Sequence, residues 1–524
     1  MCAEQLKLSM LSTIKFYLDC YLSNVKFDEV REDLLKDILA LGFVHYSFSR
    51  TSESISYSEI DTFLSKINEK ESIRKKNGVY YTENDITRYI IEKCILHSNL
   101  HFFLTGSIFD PTCGTGEFLI SALKRKLVLN EIAKKLFSVQ DILKTIYGND
   151  LNPESILISK LRFFLLLISE CSYQEIRGIV EILNENFSCS DFFVYSYGRH
   201  FDYIIGNPPY VEDRKISKFG NLYADILEKA SVLSTSKGVI GFIIPLSYVA
   251  TPRMSKIRKI LNSSHGVQYI YSFSDRPSCL FSQVHQKVSI LIAKRSYFSI
   301  LHTNNYQYWY RNQRKELFSS QTHIINPYQT EEFIPKLGTS EELEIYRKVK
   351  DNEISILDFI VDISKNDATV GNTTIFLNMR ACFWIKAFFN NHSGNEYKKL
   401  ICKNENDRNY LYCILNSSLF WWFWVCISDC WHITKKELKS FNFPKSYDTK
   451  IVKNLSSKLE YKLEQTKKYI GTKQIDYEYK HKLCLDEIHE IDDYINFLFD
   501  LNESQNEYIK QFCLIYRVGG GSKN

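Results

Sequence analysis

The stretch Ser107-Ile108-Phe109-Asp110-Pro111-Thr112-Cys113-Gly114-Thr115-Gly116-Glu117-Phe118-Leu119 decides the fold class of this chain. A short apolar strand runs into a turn with two glycines, and a helical pattern starts behind them. Glycines at such a crossing let the backbone approach a ligand that any Cβ would obstruct. The Lys-Ser/Thr ending of a phosphate-cradling loop is absent, and an acid, Asp110, stands at the loop's start. That suits a ligand with a positive amino group better than one with phosphates. Alone, the loop reads equally well as a simple tight turn. Its surroundings decide. Short apolar segments at 145–147, 203–205, 239–244 and 288–293 alternate with helical stretches between residue 106 and about residue 295. This alternation predicts an α/β, doubly wound, mostly parallel sheet that binds ligands at the carboxyl ends of its strands.

Two more acids follow at expected strand ends. In Tyr147-Gly148-Asn149-Asp150-Leu151-Asn152-Pro153, Asp150 is placed to accept both hydroxyls of a ribose, although a helix cap explains it as well in isolation. Asp191 stands in Ser190-Asp191-Phe192-Phe193. Taken in order, the three acids suit an amino acid, a ribose and an adenine ring laid along the sheet. The most specific string is Asp202-Tyr203-Ile204-Ile205-Gly206-Asn207-Pro208-Pro209-Tyr210. Two prolines cannot continue a central strand, and their fixed φ sets the directions of the Asn207 side chain and the Pro208 carbonyl. Two adjacent acceptors match the two N–H donors of a planar amino group. Accepting both bonds keeps the nitrogen lone pair out of the ring and stabilises positive charge as it develops. Tyr210 offers an aromatic face to a base. A simple turn accounts for Asn-Pro but not for this whole string behind two acidic sites.

On these motifs the sequence resembles the gamma-class adenine-N6 DNA methyltransferases of the TaqI type, strongly over residues 74 to 295 and more loosely beyond. The order matches that family: an element before the sheet, the Gly loop, the catalytic tetrapeptide, then a recognition region. The upstream element is Asn77-Gly78-Val79-Tyr80-Tyr81-Thr82, followed here by Glu83 where the family usually has proline. The resemblance implies a Rossmann-like methyltransferase fold that uses S-adenosylmethionine and acts on double-stranded DNA. It places Tyr80, Thr82, Asp110, Thr112, Cys113, Gly114 and Gly116 around the methionine part of the cofactor. Asp150 would hold the ribose and Leu151 would pack on the cofactor's adenine. Asp191 would bind that ring's amino group, beside Phe192 and Ile226. Asn207, Pro208, Pro209 and Tyr210 form the catalytic string, with Asn207 also bordering the cofactor. Residues 282–288 are similar to the segment that reaches the extruded base, with His285 as its candidate.

The rest of the chain bounds this reading. Its 524 residues are too many for one ordinary domain, and 44% hydrophobic with 24% charged residues is the balance of a folded, soluble protein. A net charge of +5 means that a nucleic acid would have to be held by local basic clusters. The 14% of aromatic residues reads by default as compositional bias. Residues 1–70 read as a helical segment without chemistry, 71–298 as the methyltransferase domain, 299–449 as the target-recognition region, and 450–524 as C-terminal helices. Within the recognition region, Asn416-Ser417-Ser418-Leu419-Phe420-Trp421-Trp422 is similar to the family's recognition segment. Arg311, Arg314 and Lys315, and Lys435 and Lys436 near Trp431, are the candidate DNA contacts.

Cys426, Cys430 and His432 lack a fourth ligand, so no metal is expected. No targeting segment opens the chain, and the apolar run 161–168 is too short for a bilayer, which predicts a cytoplasmic protein. Restriction or specificity subunits are the expected protein partners. Rival readings are a methyltransferase for cytosine-N4, RNA guanine or protein glutamine, and a catalytically silent recognition subunit. No acid-acid-lysine nuclease pattern marks the N-terminal segment, so cleavage by this chain is not expected.

Overall fold

The computed structural model describes residues 3–24, 31–67, 82–281, 284–319, 321–365, 371–390, 396–471 and 477–519. Its centre is a sheet of nine strands: Ile108–Asp110 (β1), Ile146–Asp150 (β2), Phe187–Cys189 (β3), Phe201–Gly206 (β4), Ser234–Pro245 (β5), His265–Phe273 (β6), Val288–Lys294 (β7), Ser296–Thr303 (β8) and Ile324–Ile325 (β9). Their order is β3-β2-β1-β4-β5-β7-β6-β8-β9. The strands from β3 to β5 are mutually parallel, and β7 runs antiparallel to both β5 and β6. From β1 the chain first steps outward to β2 and β3, then returns to place β4 on the other side of β1. The crevice above the carboxyl ends of β1 and β4 is therefore the topological switch point, where doubly wound sheets bind ligands. The expected fold class is the observed one.

The long strands are buried on both faces, which explains apolar runs without alternation, such as Val239-Ile240-Gly241-Phe242-Ile243-Ile244 in β5. The sheet does not stop at residue 298, where the sequence suggested a boundary. β8 pairs with β6 and β9 with β8, so the sheet runs on to Ile325. Most of β8's first half is exposed, with Tyr297 and Phe298 open to solvent, which hid the strand from a reading based on burial patterns.

Beyond the sheet, a second lobe carries a four-stranded antiparallel sheet ordered Ile360–Lys365, Tyr397–Cys402, Thr374–Asn378, Ala387–Phe388. Against it packs the helix Glu405–Asn416, and the helices Ser418–Ile427, Thr449–Gln465 and Leu485–Leu498 pack in turn on that helix. Trp421, Trp422 and Trp424 are fully buried in this core. The segment proposed from sequence to recognise DNA is thus a structural helix whose rings no base can reach. Val452, Leu459 and Ile491 lie in the same apolar cluster as Trp421, so residues 299–449 and 450–519 share one core. Among the described residues no single helix is long and apolar enough to cross a membrane. The bent pair Glu405–Asn416 and Ser418–Ile427, which passes such a test only jointly, is core-buried here.

The N-terminal helices, silent in sequence, buttress the ligand end of the sheet. A Ser56/Glu59 capping box starts the helix Tyr57–Lys66, which carries Asp61. From the helix Pro153–Glu170, Arg162 donates to Asp61 Oδ1 at 2.7 Å, to the Thr115 carbonyl at 2.7 Å and to Glu117. One buried guanidinium thus ties the N-terminal segment to the Gly loop and to the first turn of the helix behind it. Removing one partner of a buried ion network strands the other charges in low dielectric. Arg162→Met should therefore lower unfolding stability by about 3–5 kcal/mol, measured by urea denaturation. A loss below about 1 kcal/mol would mean that the network is no stronger than a surface pair.

Candidate active site

Asp110 ends β1 and is almost wholly buried, at 1% exposure. Its Oδ1 accepts the Thr112 N–H at 3.0 Å, which curls the chain into the Gly loop. Gly114 and Gly116 have φ of +53° and +93°, the left-handed region that side chains disfavour. A Cβ on Gly116 would also lie 2.5 Å from Ser159 Oγ. By contrast, nothing lies within 4 Å of a Cβ built on Gly114, so the loop's crest faces open space. There the Gly114 N–H donates to Asp150 Oδ2 at 2.9 Å, while Asp150 Oδ1 accepts from Asn152 N at 2.8 Å. The loop and the second acid are therefore one unit.

Sequence reasoning missed the residue that locks this unit. Asn149, in β2, is 1% exposed and uses its whole carboxamide. Nδ2 donates to the carbonyls of Pro111 and Ser190, both at 3.1 Å, and Oδ1 accepts from the hydroxyls of Ser188 and Ser190. It ties together the ends of β1, β2 and β3. The available signal was a polar amide one residue before the acid at the end of the second strand.

At the switch point, Gly206 closes β4 directly beneath the first acid. A Cβ on Gly206 would stand 2.6 Å from Asp110 Oδ1. Asn207 follows, and its Nδ2 donates to Thr82 Oγ1 at 3.0 Å. That bond anchors the carboxamide at the strand end, and in this orientation Oδ1 is the acceptor on the side away from Thr82. Pro208 is buried, and Pro209 and Tyr210 are half-buried. The Tyr210 hydroxyl donates to the Ile243 carbonyl on β5 at 3.0 Å, which holds the ring at the strand edge. Asp225 shapes the loop behind the string by accepting from Ser217 and from the Lys218 backbone.

The structure brings Thr82, Asp110, Thr112, Cys113, Gly114, Gly116, Asp150 and Asn207 to one end of the sheet. Tyr80 lies outside the described residues. Leu151 is exposed at the rim beside Asp150, and Asp191 is exposed, its carboxylate accepting from Phe193 N at 2.9 Å. Phe192 and Ile226 are buried in one apolar cluster. His285 is exposed and donates from Nδ1 to the Asp275 carbonyl. Two expected DNA contacts are corrected. Arg314 forms a bidentate pair with Asp85 and also pairs with Glu83, the residue standing where the resembled family has proline. Lys436 donates to the carbonyls of Ala250 and Ile427. Both serve the protein's interior. Arg311, Lys315 and Lys435 remain exposed.

Part of this site, from Asp150 to Tyr210, lies in a stretch that matches a known family. Residues 144–281 match the family described as Eco57I restriction-modification methylase. The chain is 27% identical over 214 residues to the modification methylase CviBIII of Paramecium bursaria Chlorella virus NC1A, covering 39% of this chain and 47% of that protein. It is 24% identical over 227 residues to the type II methyltransferase M.BstVI of Geobacillus stearothermophilus, covering 37% and 38% respectively. The chain thus spans less than half the length of these curated relatives. In structure it is similar to the type IIL restriction-modification enzyme MmeI solved in complex with DNA, with TM-score 0.57 and 12% identity, covering 98% of this chain and 97% of that one. The fold is that of a Rossmann-like methyltransferase, and the site region is similar in sequence to restriction-modification DNA methyltransferases.

Electrostatically, burial favours the neutral form of both acids at this end of the sheet. Burial pushes the Asp110 carboxyl well above the ordinary aspartate range, with the Asp150 charge adding to the rise and the Thr112 N–H opposing it. Burial also raises Asp150 against its backbone hydrogen bonds. A raised folded-state value means that the carboxyl's favourable contribution is complete below its unfolded value and is lost as pH rises through the folded one. Asp110→Asn, neutral at every pH, should therefore melt at a higher temperature than the parent at pH 7, and the gap should close toward the ordinary value of 3.8. Thermal melts across that range check this. A lower melting temperature at pH 7 would show that the ionised form is favoured in the unliganded fold.

Proposed function

We propose that this chain is an S-adenosylmethionine-dependent DNA methyltransferase of the gamma class, which modifies the exocyclic N6 amine of an adenine extruded from the duplex. The observation that carries the reading is the Asn207 carboxamide, pinned by Thr82 at the strand end next to the buried Asp110. The cofactor fits the cradle beside it. Thr112 Oγ1 is buried without a hydrogen-bond partner among the described residues, Gly114 leaves open space, and Leu151 stands free at the rim. Asp110 and the Gly loop would hold the amino-acid end, and Asp150 the ribose hydroxyls. Bound there, S-adenosylmethionine supplies an electrophilic methyl group on a sulfonium.

The chain's own groups do the rest by positioning and electrostatics. Asn207 Oδ1 and the Pro208 carbonyl accept the two N–H bonds of the target amine, which directs its lone pair out of the ring plane. The same dipoles stabilise the positive charge that grows on nitrogen during transfer. Tyr210, tethered to β5, packs against the base, and extrusion from the stack gives the amine access. Similarity to modification methylases and to an enzyme solved on DNA supports the duplex as substrate. Identity of 28% over 148 residues to the type I restriction enzyme MjaIX methylase subunit of Methanocaldococcus jannaschii supports restriction or specificity subunits as partners. The second lobe, from residue 326 onward, is the region available for site recognition.

The test is nucleoside mass spectrometry of DNA from a methylation-free host expressing the chain. N6-methyladenine is expected with the natural sequence and none with Asn207→Ala, whose cofactor affinity should remain near normal. N4-methylcytosine in its place would contradict the adenine assignment, and turnover in Asn207→Ala would overturn the catalytic one. Thr82→Val, which removes one neutral hydrogen bond to the carboxamide, should slow methyl transfer by about 2–10-fold.

A further inference from the structure

With Arg314 and Lys436 committed to the interior, other cations face outward at the ligand end of the sheet. An open cavity of about 560 Å³ lies between the loop after β4 and the segment after β5. Arg214 and Lys218 line it from the first, and Arg253, Lys256 and Lys259 from the second. Both segments leave the carboxyl edge, because β4 and β5 are parallel and end in Gly206 and Pro245. The helix Ser255–Ser264 begins there and carries Lys256, and no acid, in its first turn. A helix dipole favours the opposite sign of charge at that end.

Backbone and ring contacts join this cavity to the Asn207 string. The residue after Tyr210 is Val211, whose carbonyl accepts from Leu222 N at 3.0 Å. Tyr210 also meets Tyr223 edge to face, with ring centroids 6.5 Å apart. Two residues before Leu222, Gly220 turns with φ of +78°, and a Cβ there would stand 3.2 Å from Arg253 Cδ. Arg253 therefore lies across the loop that returns from the string.

Of the nearby acids, only Glu331 lines the cavity, where it pairs with Lys259. Glu212 and Glu228 reach Arg253 and Lys218 from outside the lining. Asp213 and Asp225 are turned to the backbone of their own loop, accepting from Lys215 N and Lys218 N. Glu212 and Glu331 are largely exposed, so water screens their pairs and a competing anion displaces them at little cost. Arg214 and Lys256 are exposed and form no ion pair among the described residues. The aromatic residue in the lining, Phe219, is buried, so no ring is offered to a base. Several cations fixed along one rim match a ligand whose negative charge repeats along its length, as backbone phosphates do. Resting on the reading of the site as a DNA methyltransferase, we propose that this cavity is a docking surface for the DNA backbone beside the extruded nucleotide. Arg214 and Lys256 grip its phosphates, and Arg253 exchanges Glu212 for another. Such contacts position the duplex without reading its sequence.

The test measures binding of the full chain to a labelled random-sequence duplex by fluorescence anisotropy over a range of salt. Arg214→Ala/Lys256→Ala removes two charges without stranding a carboxylate. It should weaken binding about tenfold or more at moderate salt and flatten the log–log salt slope by about 0.9 for each phosphate no longer neutralised. Arg214→Lys/Lys256→Arg should restore most of the slope, and the melting temperature should stay unchanged in both variants. Lys144→Ala/Lys237→Ala removes the same charge at the amino ends of β2 and β5 and should leave the slope as it was. An unchanged slope in Arg214→Ala/Lys256→Ala overturns the docking surface, and so does an equal fall in Lys144→Ala/Lys237→Ala. A flattened slope in a chain that methylates no DNA would sustain the surface and sink the methyl-transfer reading, whereas methyl transfer with an unaltered slope would do the reverse.

Discussion

Gly206 sits against the Asp110 carboxylate with no room for a Cβ, which would stand 2.6 Å from Oδ1, and its φ of +157° adds a second demand for glycine. This contact joins the ends of β1 and β4 across the switch point. Because the peptide after Gly206 is Asn207, the same contact sets how far the proposed base acceptor stands from the proposed cofactor-binding acid. Methyl transfer in line tolerates little error in that distance. The parallel register of β1 and β4 then carries this local geometry into the whole sheet.

Around this contact the protein spends stability on polarity. Asp110 and Asp150 are carboxyls that burial drives upward, and they persist because rigid donors from Thr112, Gly114 and Asn152 hold them. Asn149 and Arg162 fix the loops that provide those donors. The Arg162 network also gives the N-terminal helix Tyr57–Lys66 a purpose its sequence did not reveal, since Thr115 Oγ1 donates to the Ser65 carbonyl as well, at 3.4 Å. The ligand end of the sheet is thus walled by a segment that precedes the fold in sequence.

Some of this was legible in the residues and some was not, for physical reasons. Loops built on glycine and proline announce themselves, because few other residues adopt those backbones, so the Gly loop and the Asn207 string were readable directly. Composition cannot distinguish a stacking aromatic from a core aromatic, and Trp421 and Trp422 proved to be core. Charge does not declare its partner either. Arg314 looked like a phosphate contact and is an internal tie, whereas Arg276 and Lys287 meet the distant Arg380 only around Trp431. β8 escaped notice because it is an exposed strand without a buried alternating face.

If the β1–β4 contact holds the proposed cofactor and base sites in one geometry, a methyl group at residue 206 should disturb both. The most direct measurement is a calorimetric titration of Gly206→Ala with S-adenosylmethionine, run beside its methyl-transfer rate and its unfolding curve. The overpacked methyl should shift the Asp110 carboxylate, lowering cofactor affinity by about tenfold and abolishing transfer, while unfolding stays cooperative. A folded Gly206→Ala protein with parental affinity and parental turnover would contradict the account.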